Sequence, residues 1–210
     1  MTIELLTAAA QGQTNIVTEL LDRGDKIEDT DDDGITPLMW ASENGHTDTV
    51  QVLLDRGANV EASDKSGNRV LMVAAYCGQT EIVRMLISHG ADVNHTTDGG
   101  ETALHRAAYG GTCSPVTNLL GPVSYYSENG NPDTVQLLLA LGADVNQADE
   151  AGWTPLMHAM GAGHLEVIRR LVDASANINA SVSDGITALM LAEANGHFDV
   201  VAYLRQSGAR

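Results

Sequence analysis

The sequence predicts an all-α solenoid of six stacked helix–turn–helix units, on three observations. A segment recurs: Gly34-Ile35-Thr36-Pro37-Leu38-Met39 returns as Gly152-Trp153-Thr154-Pro155-Leu156-Met157, with weaker copies opening at Gly67, Gly100 and Gly185. Each copy holds two short apolar segments parted by a glycine. The openings lie 33, 33, 52 and 33 residues apart, so the long interval is one period plus a 19-residue insertion. Self-similarity at a fixed period marks units too small to bury their apolar faces alone, which become stable by stacking. Such a stack offers a long surface for holding a partner, and nothing in the period supplies chemistry.

Within a unit, each element follows from its residues. With the opening glycine as position 0, position 2 is Thr36, Thr102, Thr154 or Thr187, followed by Pro37, Ala103, Pro155 or Ala188. Threonine is a good helix N-cap, and proline suits the first helical position, where its missing N–H costs nothing. The first helix, such as Leu38-Met39-Trp40-Ala41, stops near Gly45, Gly78, Gly111, Gly163 and Gly196. A second helix opens with an acid in its first turn (Asp48, Glu81, Asp133, Glu166, Asp199), which offsets the positive end of the helix dipole. Val50, Leu53 and Leu54 form its buried stripe, as do Val83, Leu86 and Ile87, and Val135, Leu138 and Leu139. Gly57, Gly90 and Gly142 stand where a left-handed residue ends the helix. An Asp/Gly-rich turn leads to the next unit. Arg69 in place of the capping threonine and Ser175 in place of the terminating glycine predict softer helix ends.

These residues resemble the ankyrin repeat. Thr102-Ala103-Leu104-His105-Arg106-Ala107-Ala108 matches that family's Thr-Pro-Leu-His segment, and Gly90-Ala91-Asp92-Val93-Asn94 and Gly142-Ala143-Asp144-Val145-Asn146 match its exit. The likeness covers the chain apart from the insertion, as one domain with units at 1–33, 34–66, 67–99, 100–151, 152–184 and 185–210. It implies that first helices line a concave side, that β-hairpin-like turns join the units, that His105 is a structural hydrogen-bonder, and that free surface positions bind partner proteins.

Composition narrows the function further. Net charge is −17, from 11 Lys and Arg against 28 Asp and Glu. An acidic surface repels phosphate backbones, so no nucleic-acid partner is expected, while encounter with a basic protein is favoured. No stretch approaches the roughly 20 apolar residues that span a bilayer. Met1-Thr2-Ile3-Glu4-Leu5-Leu6 lacks the basic start and apolar run of a secretory signal. A cytoplasmic monomer with no membrane association is the expectation, and Cys77 and Cys113 are then expected as free thiols, although they could be neighbours.

No catalytic or metal-ligating pattern emerges, so neither an enzyme nor a cofactor is expected. Asp29-Thr30-Asp31-Asp32-Asp33-Gly34 imitates half of a calcium loop, but the twelfth position, which should be glutamate, is Trp40. His46, His164 and His197 share one repeat position and should form a column with steps of about 10 Å, too wide to share a metal.

The aromatic residues mark the candidate interface. Six of the eight fall outside the second-helix stripe: Trp40, Tyr76, Tyr109, Trp153, Tyr125 and Tyr126. Phe198 and Tyr203 are expected to pack. Trp40 and Trp153 either pack between units or face a partner, while Tyr76 and Tyr109, at one repeat position, suggest a shared exposed patch. Interface anchors are rich in Trp, Tyr and Arg. The insertion, about 112–130, carries two prolines and reads as a loop, either functional or folded back on the helices.

The sequence thus reads as a protein-binding module. The expected contact set is Asp32, Asp33, Ile35, Trp40, Glu43, Lys65, Ser66, Asn68, Tyr76, Glu101, Arg106, Tyr109, Glu150, Trp153 and His158, with Tyr125 and Tyr126 from the insertion. Its mix of aromatics and acids favours a partner with basic and apolar surface. Two alternatives stay open: a small-molecule or metal-dependent sensor or enzyme with a pocket by the insertion, and a structural fragment of a larger assembly.

Overall fold

The computed structural model describes residues 3–110 and 130–209. Among them run twelve helices: α1 (Ile3–Ala10), α2 (Thr14–Asp22), α3 (Pro37–Glu43), α4 (Thr47–Asp55), α5 (Val70–Tyr76), α6 (Thr80–Ser88), α7 (Ala103–Tyr109), α8 (Pro132–Ala140), α9 (Pro155–Ala162), α10 (Leu165–Asp173), α11 (Ala188–Ala194) and α12 (Phe198–Gln206). Two isolated antiparallel bridges, Ser63 with Arg69 and Ser181 with Thr187, are the extended pairings among these residues. Odd-numbered helices pack on one another in one row and even-numbered helices in a second, each also touching its own partner. The result is an all-α solenoid. One core runs its length, from Leu5 and Val17 through Leu53, Leu86, Leu104 and Leu138 to Leu204. Burying such a side chain contributes about 1.5–3 kcal/mol, which no single unit could collect alone.

The first helices start as their sequence dictates. Thr36, Thr154 and Thr187 accept the N–H of Met39, Met157 and Met190 at 3.2, 3.4 and 3.4 Å. Thr102 and His105 cap each other reciprocally. Arg69 makes no side-chain cap, yet α5 forms, and the guanidinium pairs with Glu61 instead. Ser175 adopts the left-handed conformation at φ 69°, so the chain reverses as it would through glycine, at a steric cost of about 1–2 kcal/mol.

Position 12 of each unit is where the stack is laced together. His46 Nε2 donates to the Ala10 carbonyl at 3.0 Å, Gln79 to Glu43 at 3.2 Å, Asn131 to Tyr76 at 2.7 Å, His164 to Tyr109 at 2.8 Å and His197 to Gly161 at 3.5 Å. Every acceptor is position 9 of the preceding unit. The histidine column is therefore a set of bonds between units. These bonds also explain the neighbouring glycines: a Cβ on Gly12 would lie 2.5 Å from the His46 ring, and one on Gly130 2.9 Å from His164. Gly130 thus takes the connecting role that the sequence suggests for Gly111, which lies outside the described residues.

Two expectations change. Cys77 is disulfide-bonded, not the free thiol expected, and Cys113 lies outside the described residues. Phe198 does not pack: it is 82 % exposed. Its repeat position faces the following unit, as Thr14 does in bonding Thr49 at 2.8 Å, and no unit follows Phe198 among the described residues. Tyr203 does pack, half-buried, with the Arg169 guanidinium 4.6 Å above its ring.

Candidate partner-binding face

The first-helix row and its turns carry the predicted contact residues. Asp32, Asp33, Lys65, Ser66 and Glu150 are exposed at the turn tips. Ile35, Asn68, Glu101 and Trp153 follow them half-buried, one residue after each opening glycine. Trp40, Glu43, Tyr76, Arg106, Tyr109 and His158 are half-buried on α3, α5, α7 and α9. Tyr125 and Tyr126 lie outside the described residues.

Three of the turns are built by an aspartate (Asp31, Asp64 and Asp149) and a fourth by Thr97. Asp31 Oδ1 accepts the N–H of Asp33 and Ile35 at 3.0 and 2.9 Å, and Asp149 Oδ1 accepts those of Ala151 and Trp153 at 2.9 and 2.8 Å. The calcium-like run is thus this turn, and Asp31 Oδ2 accepts the Trp40 indole N–H at 3.0 Å. Neighbouring tips are tied by backbone bonds, Lys65 N–H to Asp33 and Glu150 N–H to Gly99, at 3.0 and 2.9 Å. The Lys65 ammonium also donates to the Asp32 carbonyl.

Position 6 on the first helix reaches back to the turn in three units. Trp40 meets Asp31, and His158 Nε2 lies 3.1 Å from Asp149 Oδ2. Arg106 meets Glu101 at 2.7 Å and donates to the side-chain Oδ1 of Asn68, one unit back, at 3.0 Å. Such contacts pre-set side chains that would otherwise lose freedom when a partner binds. Sequence spacing gave no sign of them, because each joins a turn to a helix or one unit to the next.

Between these polar contacts runs a connected ring cluster. Tyr76 and Tyr109 stack with centroids 6.5 Å apart and planes 20° apart. His158 sets its edge against Tyr109, Trp153 and His105 at 6.3, 5.6 and 5.3 Å. Trp153 packs partly on the core, while Trp40 stands outside it, so the two tryptophans differ.

Two groups here titrate abnormally. His105, fully buried, is held down to about 4 by burial first and then by the neighbouring His158. Its Nδ1 accepts the Thr102 backbone N–H at 3.1 Å, so the ring proton sits on Nε2, which donates to the Trp153 carbonyl at 3.1 Å. Burial, and then the charge of Asp31, raise the Glu43 carboxyl above the usual carboxylate range.

Comparisons place this architecture. A model of ankyrin repeats matches three times, over residues 5–97, 59–122 and 123–210. An ankyrin repeat domain from Acinetobacter baumannii AYE superposes with a TM-score of 0.77 at 30% identity, over 99% of this chain and 98% of that one. Protein phosphatase 1 regulatory subunit 27 is similar over 39 residues, at 49% identity in Homo sapiens and 46% in Mus musculus. That segment is 19% of this chain and 25% of those relatives. With residues 5–210 matched by the repeat model and 99% of its length by the solved domain, the chain belongs to the ankyrin repeat family.

Proposed function

We propose that the chain is a non-enzymatic protein-binding module, working as a monomer. Its partner docks on the turn tips and first-helix face of α3, α5, α7 and α9. The observation that carries this reading is the stacked, half-buried pair Tyr76 and Tyr109, continuous with His158 and Trp153 and flanked by acids. Interface anchors are typically rigid aromatics set in a polar surround. Net charge of −17 favours a partner with basic and apolar surface. The local likeness to a phosphatase regulatory subunit supports a role in binding and leaves the partner open.

The test is capture of partners on the immobilised chain, followed by titration with Tyr76→Ala and Tyr109→Ala. Removing an interface anchor costs about 2 kcal/mol or more, roughly thirtyfold in affinity. Each variant should bind that much more weakly while melting near the parent temperature. Wild-type affinity in both variants would move the interface elsewhere.

A further inference from the structure

The geometry points to a binding site for a first-row divalent metal ion of the zinc class at the seam between the fourth and fifth units, held by Glu101, Asp149 and His158. Each of these residues brings one ligand atom to a common space, and the three atoms lie within 4.8 Å of one another. They come from three places, the turn before α7, the turn before α9 and α9 itself. Their spacing in sequence, 48 and 9 residues, therefore resembles no metal motif.

Other seams do not repeat the arrangement. The equivalent trio is Asn68, Thr97 and Arg106 one seam earlier, and Trp153, Val182 and Leu191 one seam later. Neither set offers a carboxylate or an imidazole. Repeat architecture alone therefore does not account for the convergence.

The ligands are partly prearranged. Asp149 is fixed through Oδ1 by two backbone N–H groups, which leaves Oδ2 directed at His158. The side chains of Asp149 and His158 are 10 % and 16 % exposed, and the rings of Trp153, Tyr109 and His105 wall the imidazole. Glu101, at 27 % exposed, is the ligand that must move to close the remaining distance to bonds near 2 Å. Arg106 engages one Glu101 oxygen, and a carboxylate can keep that ion pair while its second oxygen ligates.

Binding needs no outside reagent. A neutral His158 moves its proton from Nε2 to Nδ1, and the metal takes the place of that proton between Nε2 and Asp149 Oδ2. One imidazole nitrogen with two carboxylates suits zinc or cobalt, whereas calcium and magnesium prefer oxygen ligands throughout. Three protein ligands leave a position for water.

Calorimetric titration of the full chain with zinc chloride and with cobalt chloride tests the site. One equivalent should bind, and cobalt should give the visible absorption of a low-symmetry site. Glu101→Gln and His158→Ala should each weaken binding tenfold or more with helical circular dichroism retained, and excess calcium should not displace cobalt. The site is overturned by no binding, by displacement with calcium, or by unchanged affinity in His158→Ala, which would put the ion on other histidines. Should His158→Ala fail to fold, unchanged affinity in Glu101→Gln overturns it equally. The titration uses the chain alone, so its outcome is separate from that of the partner-binding reading.

Discussion

The interior seams of the stack and the outer face of the last described helix pair are made from the same repeat positions, yet those positions fare differently. Met157 is fully buried, while Met190, one repeat on, is 54 % exposed. His164 is 2 % exposed and bonds Tyr109 at 2.8 Å, whereas the equivalent His197 is half-exposed at 3.5 Å from Gly161. The residue type is the same at each pair of positions, so the neighbour decides what it contributes. A residue pointing backward finds a unit to meet at either seam. One pointing forward from α11 or α12 meets no further unit among the described residues.

The largest expected effect comes from the methionine pair. Met157→Ala should cost about 2–5 kcal/mol, since it empties space in a packed core. Met190→Ala should stay within about 0.5 kcal/mol, as surface changes do. Urea unfolding of both variants measures the gap. Equal losses would mean that the last unit is as well covered as the middle.

The second contrast is in pH. The last unit has methionine where the seam has His105. His105 falls from 6.5 unfolded to about 4 folded, so protons bind preferentially to the unfolded chain. Stability from this group is complete above pH 6.5 and drains as pH drops towards 4, by at most about 3 kcal/mol at 1.36 kcal/mol per pH unit. Glu43 has the opposite sign: its raised value means that acidification favours the folded state as its carboxyl protonates. Melting followed from pH 7 to pH 4.5 should therefore fall, and His105→Gln should flatten the curve. An unchanged slope in that variant would place the titration on other groups.

These cases show what was legible in sequence. The period, the caps, the second-helix stripe and the exposed tips could all be read, because each depends on residues a few positions apart. His105 as a buried bonder was likewise implied by its motif. The ties from Arg106 to Asn68 and from His158 to Asp149 were not, because they depend on which side chains the stack brings together. Phe198 misled for the same reason. Its apolar character suggests packing, but helix periodicity does not say whether the surface opposite is occupied.

A third, smaller effect separates backbone strain from contact. Gly12 and Gly196 both have positive φ, at 65° and 73°. A Cβ on Gly12 meets the His46 ring at 2.5 Å, while one on Gly196 meets nothing within 4 Å. Both alanine variants should lose about 1–2 kcal/mol from the left-handed backbone. Gly12→Ala should lose a further 1 kcal/mol or so as the bond from His46 to Ala10 is displaced. Equal costs would show that the ring moves aside freely.

The smallest effect should come from Phe198→Ser. A phenylalanine buried in a core costs about 3–5 kcal/mol when truncated. At 82 % exposure most of its surface stays in water in the folded chain, so little burial is lost when it is replaced. Serine also suits a first helical turn, where Thr14, Thr47 and Thr80 stand in three other units. The expected change in unfolding free energy is within about 0.5 kcal/mol. Chemical denaturation at two protein concentrations checks it. A loss above about 1 kcal/mol that grows with concentration would show the ring covered by another copy in solution, since association raises apparent stability by mass action. A loss independent of concentration would mean that the ring packs within its own chain, and the contrast between seam and outer face would then fail at this residue.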